Sequence, residues 1–194
     1  MDAYQKIAYP NGEKTIGLTA ALPCIPPLID SQSVSQISSI VTEMNLRTHD
    51  FHGTWNDMVG INAPLHDQDP KKFESPEYSV DGCVKRWISE GADPDKINIG
   101  LPFYGRSYGG STKLYSSHSG ADDIHWWEDK GKPQYHAILE KLPEMISLRD
   151  DVTSTHFGYF DGDKGGLVSF DDSQAICDKI EVSKGCHIAF IGLC

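Results

Sequence analysis

Apolar positions along the chain follow two rhythms that alternate for about the first hundred residues. Lys14-Thr-Ile-Gly-Leu-Thr-Ala-Ala-Leu22 is almost uncharged, follows the turn-like Pro10-Asn-Gly12 and is stopped by Pro23, Pro26 and Pro27. It predicts a strand buried on both faces, the kind found in parallel sheets. From Ser33 to Met44, Val34, Ile37, Ile40, Val41 and Met44 recur at helical spacing and predict an amphipathic helix. Asn45-Leu-Arg-Thr-His-Asp-Phe51 is too short and too β-like to extend it, so it reads as a second strand, closed by His52-Gly53. A loop of some 25 residues follows, long enough to be suspected of function. Val80, Val84, Trp87 and Ile88, behind the cap candidate Ser79, mark another helix that ends at Ala92-Asp-Pro-Asp95. Lys96-Ile-Asn-Ile-Gly-Leu-Pro-Phe103 predicts a third buried strand, and the polar and aromatic Tyr104-Gly-Arg-Ser-Tyr-Gly-Gly110 follows at once.

Strand, helix, strand, helix, strand is the pattern of a parallel sheet covered by helices. The rhythm breaks over 106–170, where a Gly/Ser-rich stretch, Trp126-Trp127, one helix (Tyr135, Ile138, Leu139, Leu142) and β-like pieces at Thr155–Phe160 and Gly166–Phe170 predict a small mixed insertion. Large aromatics are usually buried, so Trp126 and Trp127 are expected in its core. The earlier rhythm resumes with a helix over Asp172–Lys184 and a last apolar strand at His187–Leu193. Strands buried on both faces need neighbours, so the sheet is either doubly wound or part of a barrel.

The 194 residues carry 17 Lys+Arg against 28 Asp+Glu, a net charge of −11. With the basic residues scattered, nucleic acid is excluded as a partner. The apolar fraction of 39% fills a core, while every apolar run is strand-sized, so a membrane-helix bundle is excluded too. The first residues show no basic-then-apolar segment of a secretion signal. Five cysteines (Cys24, Cys83, Cys177, Cys186, Cys194) match no zinc spacing, and an odd number cannot all pair within the chain. Cys83 and Cys177 fall on apolar helix faces and are expected in the core; Cys24, Cys186 and Cys194 are left to pair or stay reduced. His49, His52 and His66 have no metal-ligand spacing, so no metal and no cofactor is expected.

Three segments carry a family resemblance. They are Asn45-Leu-Arg-Thr-His-Asp-Phe-His-Gly-Thr-Trp55 with Asn62-Ala-Pro-Leu65, Lys96-Ile-Asn-Ile-Gly-Leu-Pro-Phe-Tyr-Gly-Arg-Ser-Tyr108, and Gly165-Gly-Leu-Val-Ser-Phe-Asp-Asp172. In order and spacing they resemble the chitinases of glycoside hydrolase family 18, over nearly the whole chain. The resemblance implies an α/β fold, the second half (strands five to eight) of a (β/α)8 barrel, with 1–105 and 171–194 as barrel and 106–170 as an α+β insertion before the last strand. In such barrels function sits at the C-terminal strand ends. It implies substrate binding by Asp50, near the sugar's acetamido group, together with Tyr104, Arg106, His49 and Trp55, and chitin or chito-oligosaccharide as the partner.

Family enzymes cleave with retention, the substrate's acetamido oxygen standing in for the second carboxylate. Their proton donor lies in a D-x-x-D-x-D-x-E strand, a spacing found nowhere in these 194 residues, so no catalytic residue is assigned. A chitinase portion, a non-catalytic lectin-like chitin binder and an inactive fragment are the readings that follow. Where the family reads M-T-Y-D this chain has Arg47-Thr-His-Asp50, an imidazole that ordinarily titrates near neutrality replacing a phenol. The last strand lacks the family's tryptophan floor, which implies weaker stacking on the sugar. An extracellular location and self-association through open sheet edges complete the expectations.

Overall fold

The computed structural model describes residues 17–25, 31–68 and 78–182. Three short strands, β1 (Thr19–Leu22), β2 (Glu43–Leu46) and β3 (Ile97–Ile99), form a parallel sheet in that order, with Leu22 opposite Leu46 and Leu46 opposite Ile99. Helix α1 (Ser31–Ile40) connects the first pair, and α2 (Val80–Ser89) lies between the second pair. The succession is the predicted one. Its boundaries differ where backbone hydrogen bonds change hands. The helix expected to run to Met44 stops at Ile40, because Thr42 donates its N–H to Leu18 O at 2.7 Å and draws the chain into the sheet. Met44 is therefore a buried residue of β2 rather than of the helix.

Helix α2 follows its sequence signals. Ser79 Oγ accepts the Gly82 N–H at 2.9 Å, a side-chain cap that satisfies one of the orphan donors of the first turn. Val80, Cys83 and Trp87 are buried at helical spacing, but Ile88, expected beside them, is exposed. At the end of α1, Lys96 Nζ donates to the carbonyls of Ser38 (2.6 Å) and Val41 (3.1 Å), placing a cation on carbonyls that the helix leaves unpaired. Met44, Leu46, Phe51, Trp87 and Ile97 form one core between sheet and helices, and the Trp87 indole donates to Pro23 O. The expectation of burial on both faces fails for β1, whose residues alternate between exposed and half-buried. This strand is an edge of the sheet, with no neighbour on its far side among the described residues.

Cys24 and Cys83 form a disulfide that ties the segment after β1 to α2. Cys83 is in the core as expected, there as a half-cystine, and Cys24, which its spacing left open, is its partner. Cys177, expected in the core, is an exposed free thiol. Closing a loop of 59 residues constrains the unfolded chain by about 4 kcal/mol in the chain-entropy account. Mild reduction, or Cys83→Ser, should lower the thermal midpoint by ten degrees or more, on the order expected for a change of that size. Differential scanning calorimetry with and without dithiothreitol checks it.

After β3 come four antiparallel strands in the order β4-β7-β6-β5: β4 (Arg106–Gly109), β5 (Ile146–Asp150), β6 (Thr155–Phe160) and β7 (Gly166–Phe170). The sequence pointed to β6 and β7 but not to β4 or β5. Both missed strands are edges: β4 is the polar and glycine-containing Arg106-Ser-Tyr-Gly109, and the alternating Ile146 and Leu148 of β5 are exposed rather than facing a core. A short helix, α3 (Tyr135–Lys141), packs Ile138 with Trp126, Phe160, Val168 and Phe170. Trp126 is buried there as expected, whereas Trp127, expected with it, is 68% exposed. Helix α4 (Ser173–Val182) falls within its predicted span. The predicted last strand, His187–Leu193, and the start of the first, residues 14–16, lie outside the described residues.

Candidate active site

Beyond β2 the chain stays pinned to β3: the Thr48 hydroxyl donates to Gly100 O at 2.7 Å. It then turns at Asp50, whose φ of 59° lies in the left-handed region, one that Asp tolerates better than most residues. The turn is held by Asn62. Its side-chain carbonyl accepts the Asp50 N–H (3.1 Å), its amide donates to Tyr104 O (3.1 Å), its backbone carbonyl accepts the Phe51 N–H, and its own N–H donates to Ser169 Oγ on β7 (3.0 Å). One fully buried amide thus joins the C-terminal ends of β2 and β3 to the antiparallel sheet. In the sequence Asn62 stands out only as part of the Asn62-Ala-Pro-Leu65 motif. The available signal was a lone Asn inside the apolar run Val59-Gly-Ile-Asn-Ala-Pro-Leu65, where a buried amide needs several partners at once.

Arg106 donates from Nε (2.9 Å) and Nη2 (2.6 Å) to Asp50 Oδ1. Its guanidinium carbon lies 4.9 Å from the Trp55 ring centroid and 5.6 Å from that of Tyr104. The Tyr104 phenol is buried beside the Asp50 carboxylate, and burial first, then that carboxylate, pushes its ionisation well above the ordinary range. Lys132 Nζ sits 3.9 Å over the same ring, within cation–π range. Trp55 is 56% exposed, and its ring rests on Gly53. A Cβ at Gly53 would come within 2.3 Å of that ring, so glycine is what allows the indole to lie there.

The geometry thus brings Asp50, Tyr104, Arg106 and Trp55 together. His49 adjoins them, buried edge-on to Tyr104 with ring centroids 6.0 Å apart. Burial lowers its pKa, with Asp50 opposing and Arg47 and Lys132 adding to the effect, so it is neutral at pH 7 rather than titrating there. A cleft of about 100 Å³ opens beside it, lined by Pro23, Cys24, Ile25, Arg47, His49 and Asp50. A fixed carboxylate accepts N–H and O–H groups, a phenol donates, and an indole stacks on apolar faces. That combination suits a saccharide. Among the described residues no three His, Cys, Asp or Glu side chains gather as a metal site requires.

The sequence profile of Glycosyl hydrolases family 18 matches residues 2–193. The chain belongs to that family. It is 33% identical over 107 residues to chitotriosidase-1 of Mus musculus, a stretch that covers 55% of this chain and 23% of the mouse protein. An immunomodulatory active chitinase of Trichuris suis superposes with a TM-score of 0.82 at 24% identity, over 94% of this chain and 51% of its own. A family 18 chitinase of Cycas revoluta, solved with (GlcNAc)3, superposes at 0.81 with 20% identity, over 98% of this chain and 55% of its own. The chain therefore spans about half of these solved chains and less than a quarter of the mouse relative. The mixed α/β fold is common to them. No described helix is long and apolar enough to cross a membrane.

His52 lies two residues past Asp50 in the chain. It is buried, and the Gln68 amide nitrogen lies 2.7 Å from its Nε2. Burial lowers its pKa from 6.5 to about 4. The unfolded chain then binds the extra proton between those values, so stability is lost as pH falls below 6.5, by about 3 kcal/mol once below 4. Urea unfolding of wild type at pH 7 and pH 4 should show that loss over and above the loss in His52→Gln. Equal pH slopes for the two proteins would remove His52 as its source.

Proposed function

We propose that this chain supplies the saccharide-binding wall of a chitinase-like family 18 hydrolase, corresponding to strands five to eight of a (β/α)8 barrel with 106–170 inserted before the last strand. The observation that carries the reading is the Arg106–Asp50–Tyr104 cluster, capped by the exposed Trp55, at the C-terminal ends of two neighbouring parallel strands. Barrel enzymes place their sites at that end. Three sequential parallel strands with helical connections, a β1 edge that is open among the described residues and a fold likeness to about half of longer chains all support the half-barrel. The open edge is also where the remaining strands, or a second copy of the chain, would pair.

In this reading Asp50 accepts the acetamido N–H of a bound N-acetylglucosamine, Arg106 keeps that carboxylate in place, and Trp55 carries the apolar face of a neighbouring sugar. Hydrolysis needs a protonating glutamate in the D-x-x-D-x-D-x-E setting, which these 194 residues do not contain. The chain by itself therefore binds chito-oligosaccharides without cleaving them. The disulfide fits an oxidising, extracellular setting. Retention of the full chain on chitin beads, alongside turnover of a fluorogenic chitobioside, tests the reading. Wild type should be retained, Tyr104→Ala/Arg106→Ala should wash through, and neither should turn over substrate. Equal retention of the two proteins, or turnover by wild type, overturns it.

A further inference from the structure

We propose that the cleft beside Asp50 receives an oxyanion carried on the saccharide, a carboxylate or a sulfate ester on an amino-sugar chain, with Arg47 as its contact. The proposal rests on the saccharide-binding reading and names the class of sugar chain bound. At about 100 Å³ the cleft is well under the roughly 300 Å³ at which small-molecule pockets begin, so it fits a substituent of a sugar chain and not the chain itself.

Charge decides which substituent. Asp50 is the one carboxylate in the lining among the described residues, and Arg106 already occupies its Oδ1 with two N–H donors. Arg47 is left over: it is exposed, it lines the same cleft, and it makes no ion pair among the described residues. Lys132 adds a second cation over the Tyr104 ring, likewise without a carboxylate partner. Around one matched carboxylate there are thus three cations, in a chain whose net charge is −11. Arg106 and Lys132 both lie over the Tyr104 ring, 5.6 and 3.9 Å from its centroid, and Arg47 shares the cleft lining with Asp50, the carboxylate that Arg106 holds, so the three cations border one site.

The cleft is also firmly built. Arg47 is fixed at its backbone, whose N–H donates to Leu22 O at 2.9 Å, and the facing wall is anchored by the Cys24–Cys83 disulfide. A planar guanidinium presents paired donors that match carboxylate and sulfate oxygens. A neutral sugar would leave Arg47 merely hydrated, and a deacetylated, cationic chain would be repelled.

Titration calorimetry of the full chain with three hexamers tests this at about 50 mM salt, where screening is weak. The hexamers are neutral chitohexaose, an alternating glucuronate and N-acetylglucosamine hexamer, and 6-O-sulfated chitohexaose. At least one anionic hexamer should bind about tenfold tighter than chitohexaose, the gain expected of one charge-assisted contact. Whichever carries the gain identifies the oxyanion. The ratio should fall to about one in Arg47→Met and below one in Arg47→Glu, as charge removal and reversal require. Equal affinities in wild type, or a preference that survives in both variants, overturns the proposal. If chitohexaose binds without an anionic preference, this inference alone falls; if none of the three binds, the saccharide reading falls with it.

Discussion

Asp50→Asn should weaken chitotetraose binding by tenfold or more and also destabilise the fold by about 1–3 kcal/mol, below the 3–5 typical of a broken, fully buried pair. Asparagine keeps the shape and tolerates the left-handed backbone at 50, so the change removes little but charge. The discount follows from exposure: the Arg106 and Asp50 side chains are 19% and 22% accessible, and water partly screens the unpaired guanidinium. Arg106→Met on the Asp50→Asn background should then restore much of the stability while leaving binding lost, because the stranded guanidinium charge is gone but the carboxylate, with its stronger charged acceptor, has not returned. Urea unfolding and calorimetric titration of the two variants separate these effects. Binding that recovers together with stability would mean that Asp50 serves only the fold.

A larger effect on stability is expected away from the cleft. Lys179 of α4 and Asp171, just after β7, are ion-paired with side-chain exposures of 0% and 1%. Burial pushes the Asp171 carboxyl up and the Lys179 amine down, and each partner pulls the other back. Lys179→Met leaves the carboxylate buried alone and should cost about 3–5 kcal/mol, as should Asp171→Leu in the opposite sense. The double variant should recover most of the loss, because an apolar pair of similar volume removes both desolvation penalties. A double-mutant cycle by urea unfolding reads the coupling, and additive losses would show that the two groups act independently. The pair secures the junction between β7 and α4, and β7 carries the Ser169 hydroxyl that Asn62 uses.

Much of this architecture was legible in the sequence because local patterns and packing agree. The Ser79 cap and the spacing of Val80, Val84, Trp87 and Ile88 each follow from one rule, and α2 satisfies the cap and buries Val80 and Trp87, with Ile88 left exposed. Signals failed where a distant partner decides. Met44 continues a helical spacing, yet Leu18, more than twenty residues earlier, takes the Thr42 N–H and turns the segment into a strand. Cys24 and Cys83 are 59 residues apart, and spacing alone cannot pair them. Trp127 repeats its neighbour's residue type but points the other way.

The candidate site divides in the same manner. Asp50, Tyr104 and Arg106 were legible as strand-end residues within a family pattern. The arrangement that gives them a role was not, since the Arg106 bonds to Asp50 span 56 residues and the Asn62 bridges reach as far as Ser169. The neutrality of His49 was likewise hidden, because it arises from burial behind Tyr104 and from the cations at 47 and 132.

The most direct test of the saccharide wall is to titrate the full, isotopically labelled chain with chitotetraose and follow backbone amide and indole N–H shifts by NMR. The largest changes should fall on Asp50, Trp55, Asn62, Tyr104 and Arg106, including the exposed Trp55 indole. Changes confined to the region of Trp127 and the antiparallel sheet, or no changes at all, would contradict the account.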